Sequence, residues 1–400
     1  MKVLTTLLLL LFSQGVLAST LADSVRDYQR ALVRHGVTGS SIAGVFSDGE
    51  VLAMSAVASD LPGDKPITED TIFPIWSMSK PVTIVAMMVL LDQGKYDVNE
   101  RVAKYLPEFA NLMCRPKEED ADLYPCENEL LIEHLLTHRS GYAYYGNGAG
   151  EGPDFRAPFG NLEDYIRHVA SWPVAFEPGT EYLYGINQAI LGRLIEVLSG
   201  IEFYAFLRQA IFEPLGMNDT RFDLREADRA RFQPLFRKAQ LKLGSAYTVP
   251  DEGDSGVTDQ YDELTYAPGT KMQLGGEGLV STFADYRKFC EMLLAGGRYA
   301  GQVLISDAVF QQMTTTVTPP QISSGYNNGF GYAYSLFNLE EPLLDGTGSP
   351  KGIFGWSGYH NTHFWIDQTN GVYGLFMTRT TPSAMEIQKQ FRAAVYSALP

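Results

Sequence analysis

The sequence has 400 residues, of which 45% are hydrophobic and 20% are charged, a composition typical of a globular protein with a sizeable core. Its 47 acidic residues outnumber its 31 basic residues, so the formal net charge is −16. This charge disfavours nucleic acid and anionic membrane surfaces as partners, because both bind clustered lysine and arginine side chains.

The N-terminus has the pattern of an export signal. Met1-Lys2 is a short positive segment, residues 3–12 form an apolar run, and Val16-Leu17-Ala18 is a small-x-small cleavage pattern. The apolar run is too short to cross a bilayer, and a buried first helix is the alternative interpretation. We therefore predict a signal peptide over residues 1–18 and a single mature domain over residues 19–400. The predicted location is periplasmic or secreted, with no stable membrane insertion after signal removal.

Export would place the three cysteines in an oxidising compartment. Cys114 and Cys126 bracket the polar stretch 115–125, which has the composition of a loop. A disulfide that closes this loop and a pair of free thiols are both consistent with the sequence. Cys290 falls at an apolar position of an amphipathic helical pattern, which favours a buried core residue. No cysteine spacing typical of a metal site is present.

Apolar periodicity and turn residues divide the chain into β-rich ends and a helical middle. The expected elements are a helix over 21–35, strands over 41–46 and 51–57 joined by Asp48-Gly49, helices over 77–91, 130–137 and 189–198, an acidic loop over 248–262, strands over 330–335, 363–366 and 372–377, and a helix over 384–398.

This order of elements predicts one antiparallel sheet that is built from both chain ends and flanked by the terminal helices. The fold class is then α/β (α+β), with a mostly helical lobe over roughly residues 100–230 inserted in the α/β lobe. A cleft between the two lobes is the natural place for a functional site.

Ser77-Met78-Ser79-Lys80 places a serine and a lysine three residues apart at the start of a predicted helix. Lys80 shares a helix face with Ile84 and Met87, so Lys80 and Ser77 are expected to point inward together. A serine hydroxyl is a poor nucleophile unless a base removes its proton. Burial disfavours the charged form of a lysine, so Lys80 is a candidate base. The backbone N–H groups at the helix N-terminus can stabilise a developing oxyanion.

The segment Ser77-Met78-Ser79-Lys80-Pro81 resembles the nucleophile motif of the serine β-lactamase and penicillin-binding protein superfamily, in its class C-like branch, and most closely that of family VIII carboxylesterases. Further segments resemble the same family in the expected order; they are 135–141, 178–180, 191–196, 213–217 and 278–282. The likeness runs from about residue 25 to the C-terminus. It implies a β-lactamase/transpeptidase-like fold and a covalent acyl-enzyme on Ser77, with no cofactor or metal.

The family's second element is a tyrosine that shares proton transfer with the lysine, usually in a Tyr-x-Asn motif. The matching segment is Tyr184-Gly185-Ile186-Asn187, in which Ile186 occupies the asparagine position and Asn187 is displaced by one residue. The resemblance implies that Tyr184 delivers a proton to the leaving group, with Asn187 as a candidate substrate contact. Tyr182 competes for the tyrosine role, although a packing aromatic is the simpler interpretation of it.

The family's third element lines the far wall of the cleft and is usually Lys-Thr-Gly or His-x-Gly. The matching residues here are Trp356, Ser357 and Gly358, similar to the Trp-x-Gly form of the family's carboxylesterases. A cation at this place would attract a substrate carboxylate, whereas a tryptophan offers an apolar face and one N–H donor. By the same resemblance the backbone N–H groups of Ser77 and Tyr359 form the oxyanion hole. His360 is expected near enough to the cleft to touch substrate.

Loss of both the motif cation and the motif asparagine favours an esterase. We therefore predict a serine hydrolase that cleaves short-chain carboxylic esters, with a small-molecule ester or β-lactam-like substrate as its partner. β-Lactamase or D-amino-acid peptidase activity is the alternative within this class. A non-catalytic penicillin-recognising binding module is the alternative outside it.

Two further patterns concern a zinc site, which is disfavoured, and a group of tyrosines, whose role stays open. His134 and His138 are four residues apart like two zinc ligands on a helix, but residue 135 is leucine and no third ligand is evident, so helix packing is favoured. Tyr142, Tyr144 and Tyr145 either line an acyl pocket or pack a loop between the lobes, and the sequence does not decide between these roles.

Overall fold

The computed structural model describes residues 21–118, 121–144, 159–238, 256–258, 269–320 and 328–399. Its strands are β1 (Ser41–Ser47), β2 (Glu50–Val57), β3 (Ile72–Pro74), β4 (Met113–Cys114), β5 (Tyr124–Pro125), β6 (Leu235–Arg237), β7 (Gly256–Thr258), β8 (Val280–Thr282), β9 (Arg298–Tyr299), β10 (Gln302–Val303), β11 (Phe330–Tyr332), β12 (Phe337–Leu339), β13 (Phe354–Ser357), β14 (His363–Asp367), β15 (Val372–Thr378) and β16 (Thr380–Thr381). Its helices are α1 (21–34), α2 (Ser79–Asp92), α3 (Ile132–Leu136), α4 (Leu162–Val169), α5 (Asn187–Ser199), α6 (Phe203–Leu207), α7 (Glu213–Leu215), α8 (Phe283–Leu294), α9 (Asp307–Thr314), α10 (Pro342–Asp345) and α11 (Met385–Tyr396).

Seven strands from both ends of the chain form the central antiparallel sheet. Their order is β11-β12-β13-β14-β15-β1-β2, so the N-terminal hairpin β1-β2 pairs with β15 from the C-terminal part. Asp48 and Gly49, which join β1 to β2, both have positive φ, the conformation that a tight hairpin turn requires. The predicted fold class, a sheet built from both chain ends and flanked by helices, is confirmed.

Helices cover both faces of this sheet. On one face α1 and α11 pack against Phe376 and Trp365, and on the other α8 packs against Phe364. All residues of β14 and β15 are consequently buried. Strands buried on both faces read as continuous apolar runs rather than as alternating patterns, which is why the sequence predicted them clearly.

Helix α2 lies at the centre of the molecule, with its residues from Ser79 to Leu90 all buried. It is apolar on all sides, as expected for a helix surrounded by other elements. It contacts α5, α6 and α9, while α5 contacts α3, α4 and α6. The chain segment that precedes β8 passes between α2 and α5, where Thr83 Oγ1 donates a hydrogen bond of 2.7 Å to the Gly275 carbonyl. This packing holds α2, and therefore the motif at its N-terminus, in a rigid setting.

Three segments predicted from the sequence lie outside the described residues or differ from the structure. The predicted signal peptide over 1–18 lies outside the described residues, as does the predicted acidic loop apart from β7. The predicted strand over 330–335 is wrong at its C-terminal end, because the chain reverses at Ser335, which has a φ of 47°, and continues into β12. Within the described ranges, no helix has the length and apolar content needed to cross a membrane.

One consequence of this core is a stability that depends on pH. His363 on β14 is buried between Phe376 and Phe391, with ring centroids 5.1 and 5.4 Å away. Burial, with a smaller contribution from Arg392, lowers the pKa of His363 to about 3. The unfolded chain has its histidine pKa near 6.5, so it binds this proton first as the pH falls. The free energy of unfolding should therefore decrease below about pH 6.5 and level off below about pH 3.

When the pH is lowered from 7 to 5, the free energy of unfolding of His363→Leu should fall by about 2 kcal/mol less than that of the native protein. The variant lacks the histidine whose protonation favours the unfolded chain. Urea unfolding of both proteins at the two pH values measures the difference. Two pH profiles with the same slope would show that His363 does not carry the effect.

Candidate active site

Ser77 lies in a 3₁₀ turn, Trp76–Met78, between β3 and α2. Trp76 has a φ of 47°, a left-handed conformation that bulky residues rarely adopt. Its indole Nε1 donates a hydrogen bond of 2.9 Å to His360 Nδ1, and its ring packs edge-on against Tyr359 and His360. These contacts hold the strained turn in place, so that Ser77 is partly exposed while its two neighbours are buried.

Lys80 follows Ser77 by one helical turn, and its side chain is fully buried. Its Nζ lies 3.2 Å from Ser77 Oγ, 2.5 Å from Tyr144 Oη and 2.7 Å from the Gly276 carbonyl oxygen. Three acceptors match the three N–H groups of an ammonium. Because the two hydroxyl groups can also donate, the same contacts accommodate a neutral amine. The arrangement can therefore keep its hydrogen bonds while Lys80 gains or loses a proton.

Tyr184 is the second hydroxyl-bearing or amine-bearing side chain in contact with Ser77. Its Oη donates a hydrogen bond of 2.7 Å to Ser77 Oγ, and its ring centroid is 4.7 Å from Lys80 Nζ. The residue after it must be glycine, because a Cβ on Gly185 would lie 2.0 Å from the Tyr142 carbonyl oxygen. The structure thus brings together the serine, lysine and tyrosine that the sequence singled out, with Ser77 Oγ between two groups that can exchange protons.

Tyr144 is a site residue whose role the sequence left open. Its hydroxyl contacts Lys80 Nζ, and its ring lies 5.5 Å from that of Tyr184. Burial, then the nearby Tyr184 and Glu277, raises the pKa of Tyr144 well above its usual value, so it stays a neutral phenol. No motif marks Tyr144; it reaches Lys80 because its segment packs against Gly185. Tyr145, the other candidate beside it, lies outside the described residues.

The far wall of the cleft is formed by β13 and the turn that follows it. Trp356, Ser357, Gly358 and Tyr359 line the same pocket as Ser77 and Tyr184, a cavity of about 380 Å³. The wall packs tightly on the nucleophile turn, because a Cβ on Gly358 would lie 2.4 Å from the Ile75 carbonyl oxygen. Trp356 is the centre of an aromatic cluster, with ring centroids 5.8 to 6.5 Å from those of Tyr184, Tyr332 and Phe337.

Asn187, predicted as a substrate contact, is not among the residues that line the pocket. It is fully buried as the first residue of α5, where its Oδ1 accepts a hydrogen bond from Ser140 Oγ and its Nδ2 lies 2.8 Å from His138 Nδ1. The one-residue displacement from the family motif turns the amide away from the cleft. Its contacts instead join the turn at residues 138–140 to α5.

His360, the other predicted substrate contact, does not line the pocket either. It is 1% exposed, and it lies in the turn after β13 rather than on a strand. Burial, with smaller contributions from Arg379 and Arg237, lowers the pKa of His360 well below its usual value. The neutral ring accepts the hydrogen bond from Trp76, so His360 is a positioning residue behind the nucleophile turn.

His138 supports the tyrosine in a similar way, which the sequence did not predict. Its ring centroid is 4.9 Å from that of Tyr184, and its Nδ1 accepts a 3.4 Å hydrogen bond from the Gly185 N–H. Burial, with a smaller contribution from Lys80, lowers the pKa of His138 well below its usual value. It follows the end of α3 with a φ of 56°, so it does not share a helix face with His134.

Cys114 and Cys126 are joined by a disulfide, and Cys290 is a buried thiol. In the described part of the chain, the side chains grouped closely enough to hold a metal ion are Cys114, Cys126 and Glu177. Because both sulfur atoms of that group are in the disulfide, the group does not form a typical metal site.

The chain is similar to known proteins in sequence and in architecture. The Beta-lactamase family model matches residues 22–398. Esterase EstB of Burkholderia gladioli is 28% identical over 392 residues, which cover 94% of each chain. The solved structure of EstCE1, a hydrolase with promiscuous acyltransferase activity, superimposes with a TM-score of 0.77 at 22% identity, covering 95% of this chain and 100% of that one. A penicillin-binding protein homolog from Caulobacter crescentus gives a TM-score of 0.72 at 18% identity, covering 95% and 98%.

The solved structures show that the fold is shared, and the family model spans almost all of the described residues. The esterase of similar sequence extends the agreement along nearly the whole of both chains. The chain therefore belongs to the β-lactamase family, and it is a serine hydrolase.

Proposed function

We propose that the protein hydrolyses short-chain carboxylic esters through a covalent acyl-enzyme on Ser77. The observation that carries this proposal is the position of Ser77 Oγ, 3.2 Å from Lys80 Nζ and 2.7 Å from Tyr184 Oη, at the mouth of an aromatic pocket. Two groups able to exchange protons beside one hydroxyl are what activation of a serine nucleophile requires.

In the acylation step Ser77 Oγ attacks the carbonyl carbon of the ester while its proton moves to Lys80 Nζ. The tetrahedral intermediate then collapses as its bond to the alcohol oxygen breaks, and Tyr184 delivers a proton to that oxygen. Lys80 restores the proton of Tyr184. In deacylation a water molecule attacks the acyl carbon, its proton passes to the same pair of residues, and Ser77 Oγ leaves with a proton as the carboxylic acid is released.

The oxyanion of both intermediates would be bound by the backbone N–H groups of Ser77 and Tyr359. Ser77 lies in the first turn of a helical segment, where N–H groups have no partner within the helix. Tyr359 follows β13 directly, in the wall that packs on the Ser77 turn. Such fixed donors stabilise charge that develops on the carbonyl oxygen.

The wall favours an ester over a β-lactam or a peptide with a free carboxylate. Trp356 takes the place at which family members that bind such substrates have a cation, and Asn187 is buried away from the cleft. A charge-assisted hydrogen bond to the carboxylate is therefore missing at this place, and each such bond contributes about 1.5 to 3 kcal/mol. The similarity to Esterase EstB supports the same substrate class.

The test compares p-nitrophenyl butyrate with the chromogenic cephalosporin nitrocefin on the same preparation. We expect kcat/KM for the ester to exceed that for nitrocefin by about 100-fold or more, because Trp356 stands where a carboxylate-binding cation would lie. Faster turnover of nitrocefin would instead establish a β-lactamase. A stable cephalosporoyl adduct formed from nitrocefin, with no turnover of either compound, would establish a non-catalytic binding module.

A further inference from the structure

The catalytic pocket continues along α11 to a buried arginine. Met385, Gln388 and Arg392 line it, and their spacing of three and four residues places them on one face of the helix. Seven residues separate Met385 from Arg392, which is about 10 Å along the helix axis. The pocket therefore extends well beyond the length of a short acyl group.

The two ends of this helix face lie at different ends of the pocket. Near the start of α11, the Ala384 N–H donates a hydrogen bond of 2.7 Å to Asn361 Oδ1, in the turn that also carries Tyr359 and packs behind Ser77. Two helical turns later, the Arg392 guanidinium lies 5.1 Å from the ring of Phe330 on the edge strand β11. Arg392 thus lies at the end of the pocket away from the nucleophile.

Arg392 is buried, with 5% of its side chain exposed, and its Nη2 lies 2.9 Å from Oδ1 of Asp345, whose side chain is 1% exposed. The ion pair engages one Nη group, and Arg392 also lines the pocket. Its Nε has no hydrogen-bond partner among the described residues and is closed to solvent, so a hydrogen bond to a molecule in the pocket would come from an Nη group. A buried N–H without a partner costs about 1 to 3 kcal/mol. Gln388 beside it is also buried, and its Nε2 contacts only a weak acceptor, Met385 Sδ, at 3.3 Å.

Among the described residues that line the pocket, Arg392 carries a charge and the others are aromatic or uncharged. Asp345 balances the arginine charge, and a free carboxylate would lie close to that aspartate. An oxygen that accepts a hydrogen bond without carrying a charge fits this setting better, because it satisfies a donor and adds no buried charge.

We propose that Arg392 and Gln388 form a subsite for an uncharged oxygen acceptor, such as an ether or a carbonyl oxygen, carried on the arm of the substrate that extends along α11. This proposal rests on the proposed esterase function and adds a specificity to it. Hydrolysis of an ester too short to reach Arg392 depends only on the catalytic residues, whereas selectivity among long esters depends on the subsite.

The experiment uses two matched pairs of esters, in which one CH₂ group is replaced by oxygen. One pair varies the acyl arm (methyl decanoate and methyl 8-methoxyoctanoate), and the other varies the alcohol arm (decyl butyrate and 8-methoxyoctyl butyrate). In one of the two pairs we expect the methoxy compound to have a kcat/KM about tenfold higher, because its oxygen accepts a hydrogen bond from a charged donor. Equal rates, or preference for the alkyl compound, in both pairs would overturn the proposal.

The double variant Arg392→Met with Asp345→Leu removes both buried charges and so leaves neither unpaired. It should lose the tenfold preference and keep the native rate with p-nitrophenyl acetate, which shows that the fold and the catalytic residues are intact. Lys389→Met is the matched control. It removes a cation from the same helix at a position that is not among the pocket-lining residues, so it should keep the preference. A preference that survives in the double variant would also overturn the proposal.

Binding measured without turnover separates this proposal from the esterase function. Ser77→Ala protein should bind the preferred methoxy ester about tenfold more tightly than its alkyl partner, read by titration calorimetry. If the native protein hydrolyses no ester but this difference is found, the proposed function fails and the subsite stands. Equal affinities would overturn the subsite whatever the catalytic result.

Discussion

Ser77→Ala should abolish the hydrolysis of p-nitrophenyl butyrate, with kcat falling by about 10⁴-fold or more. The substitution removes the hydroxyl oxygen of Ser77, which contacts both Lys80 Nζ and Tyr184 Oη, while both of those groups stay in place. Donors in the oxyanion hole could still polarise a bound ester, but a residual rate from them would be small. Initial rates of purified native and variant protein, measured side by side, give the ratio.

Ser79→Ala is a control within the same motif. Ser79 is buried, and its Oγ accepts a hydrogen bond of 3.2 Å from the Leu279 N–H instead of facing the cleft. Its replacement should cost about 1 kcal/mol of stability and leave the ester hydrolysis of the folded protein in place. If Ser77→Ala retained more than about 1% of the native rate, the nucleophile would have to be another group.

Lys80→Met should lower kcat by about 10³-fold, since general-base catalysis typically contributes 10² to 10⁴. Methionine keeps most of the side-chain volume but can neither accept the Ser77 proton nor donate to the Gly276 carbonyl oxygen. That buried carbonyl loses its partner, so a loss of stability of about 1 to 3 kcal/mol is also expected. Rates taken well below the melting temperature separate the two effects.

Tyr144→Phe provides the matched comparison, because it removes a neighbour of the amine and leaves Lys80 itself present. It deletes the hydroxyl 2.5 Å from Lys80 Nζ, and we expect kcat to fall by about tenfold. Equal losses in Lys80→Met and Tyr144→Phe would contradict the role of Lys80 as the base and would indicate that the network acts only by holding its members in position.

The buried aromatic pocket gives a common basis for these predictions. Trp356 and Tyr184 line the pocket beside Ser77, and the buried Lys80 amine contacts both Ser77 and Tyr144. Hydrogen bonds among hydroxyl and amine groups are stronger where few water molecules compete for them, which favours proton transfer along these bonds. The roles of Ser77, Lys80 and Tyr184 remain predictions that the kinetic experiments test.

The predicted fold and the predicted site depended on different kinds of sequence signal. Apolar periodicity predicted α2, β14, β15 and α11 within a few residues, because each of these elements buries a long regular pattern. The short strands β6, β7 and β16 were not predicted, since two or three residues carry no period. The end of β11 was misplaced because a single backbone conformation at Ser335 decides it.

By itself the sequence predicted the class of fold and singled out the serine, lysine and tyrosine that the structure brings together. A serine and a lysine three residues apart at the start of a helix must lie on one face, because local geometry leaves no other arrangement. The order of family-like segments then pointed to Tyr184 and to the wall at Trp356. Neither conclusion needed knowledge of contacts between distant parts of the chain.

Only the tertiary structure decided which polar side chains face the cleft. His360 and Asn187 lie next to site residues in sequence, yet both are buried and act as hydrogen-bonding supports. Tyr144 and Arg392 carry no motif, yet packing brings one to the catalytic lysine and the other to the far end of the pocket. Sequence spacing fixes the direction of a side chain only within one regular element, whereas burial depends on every element that packs against it.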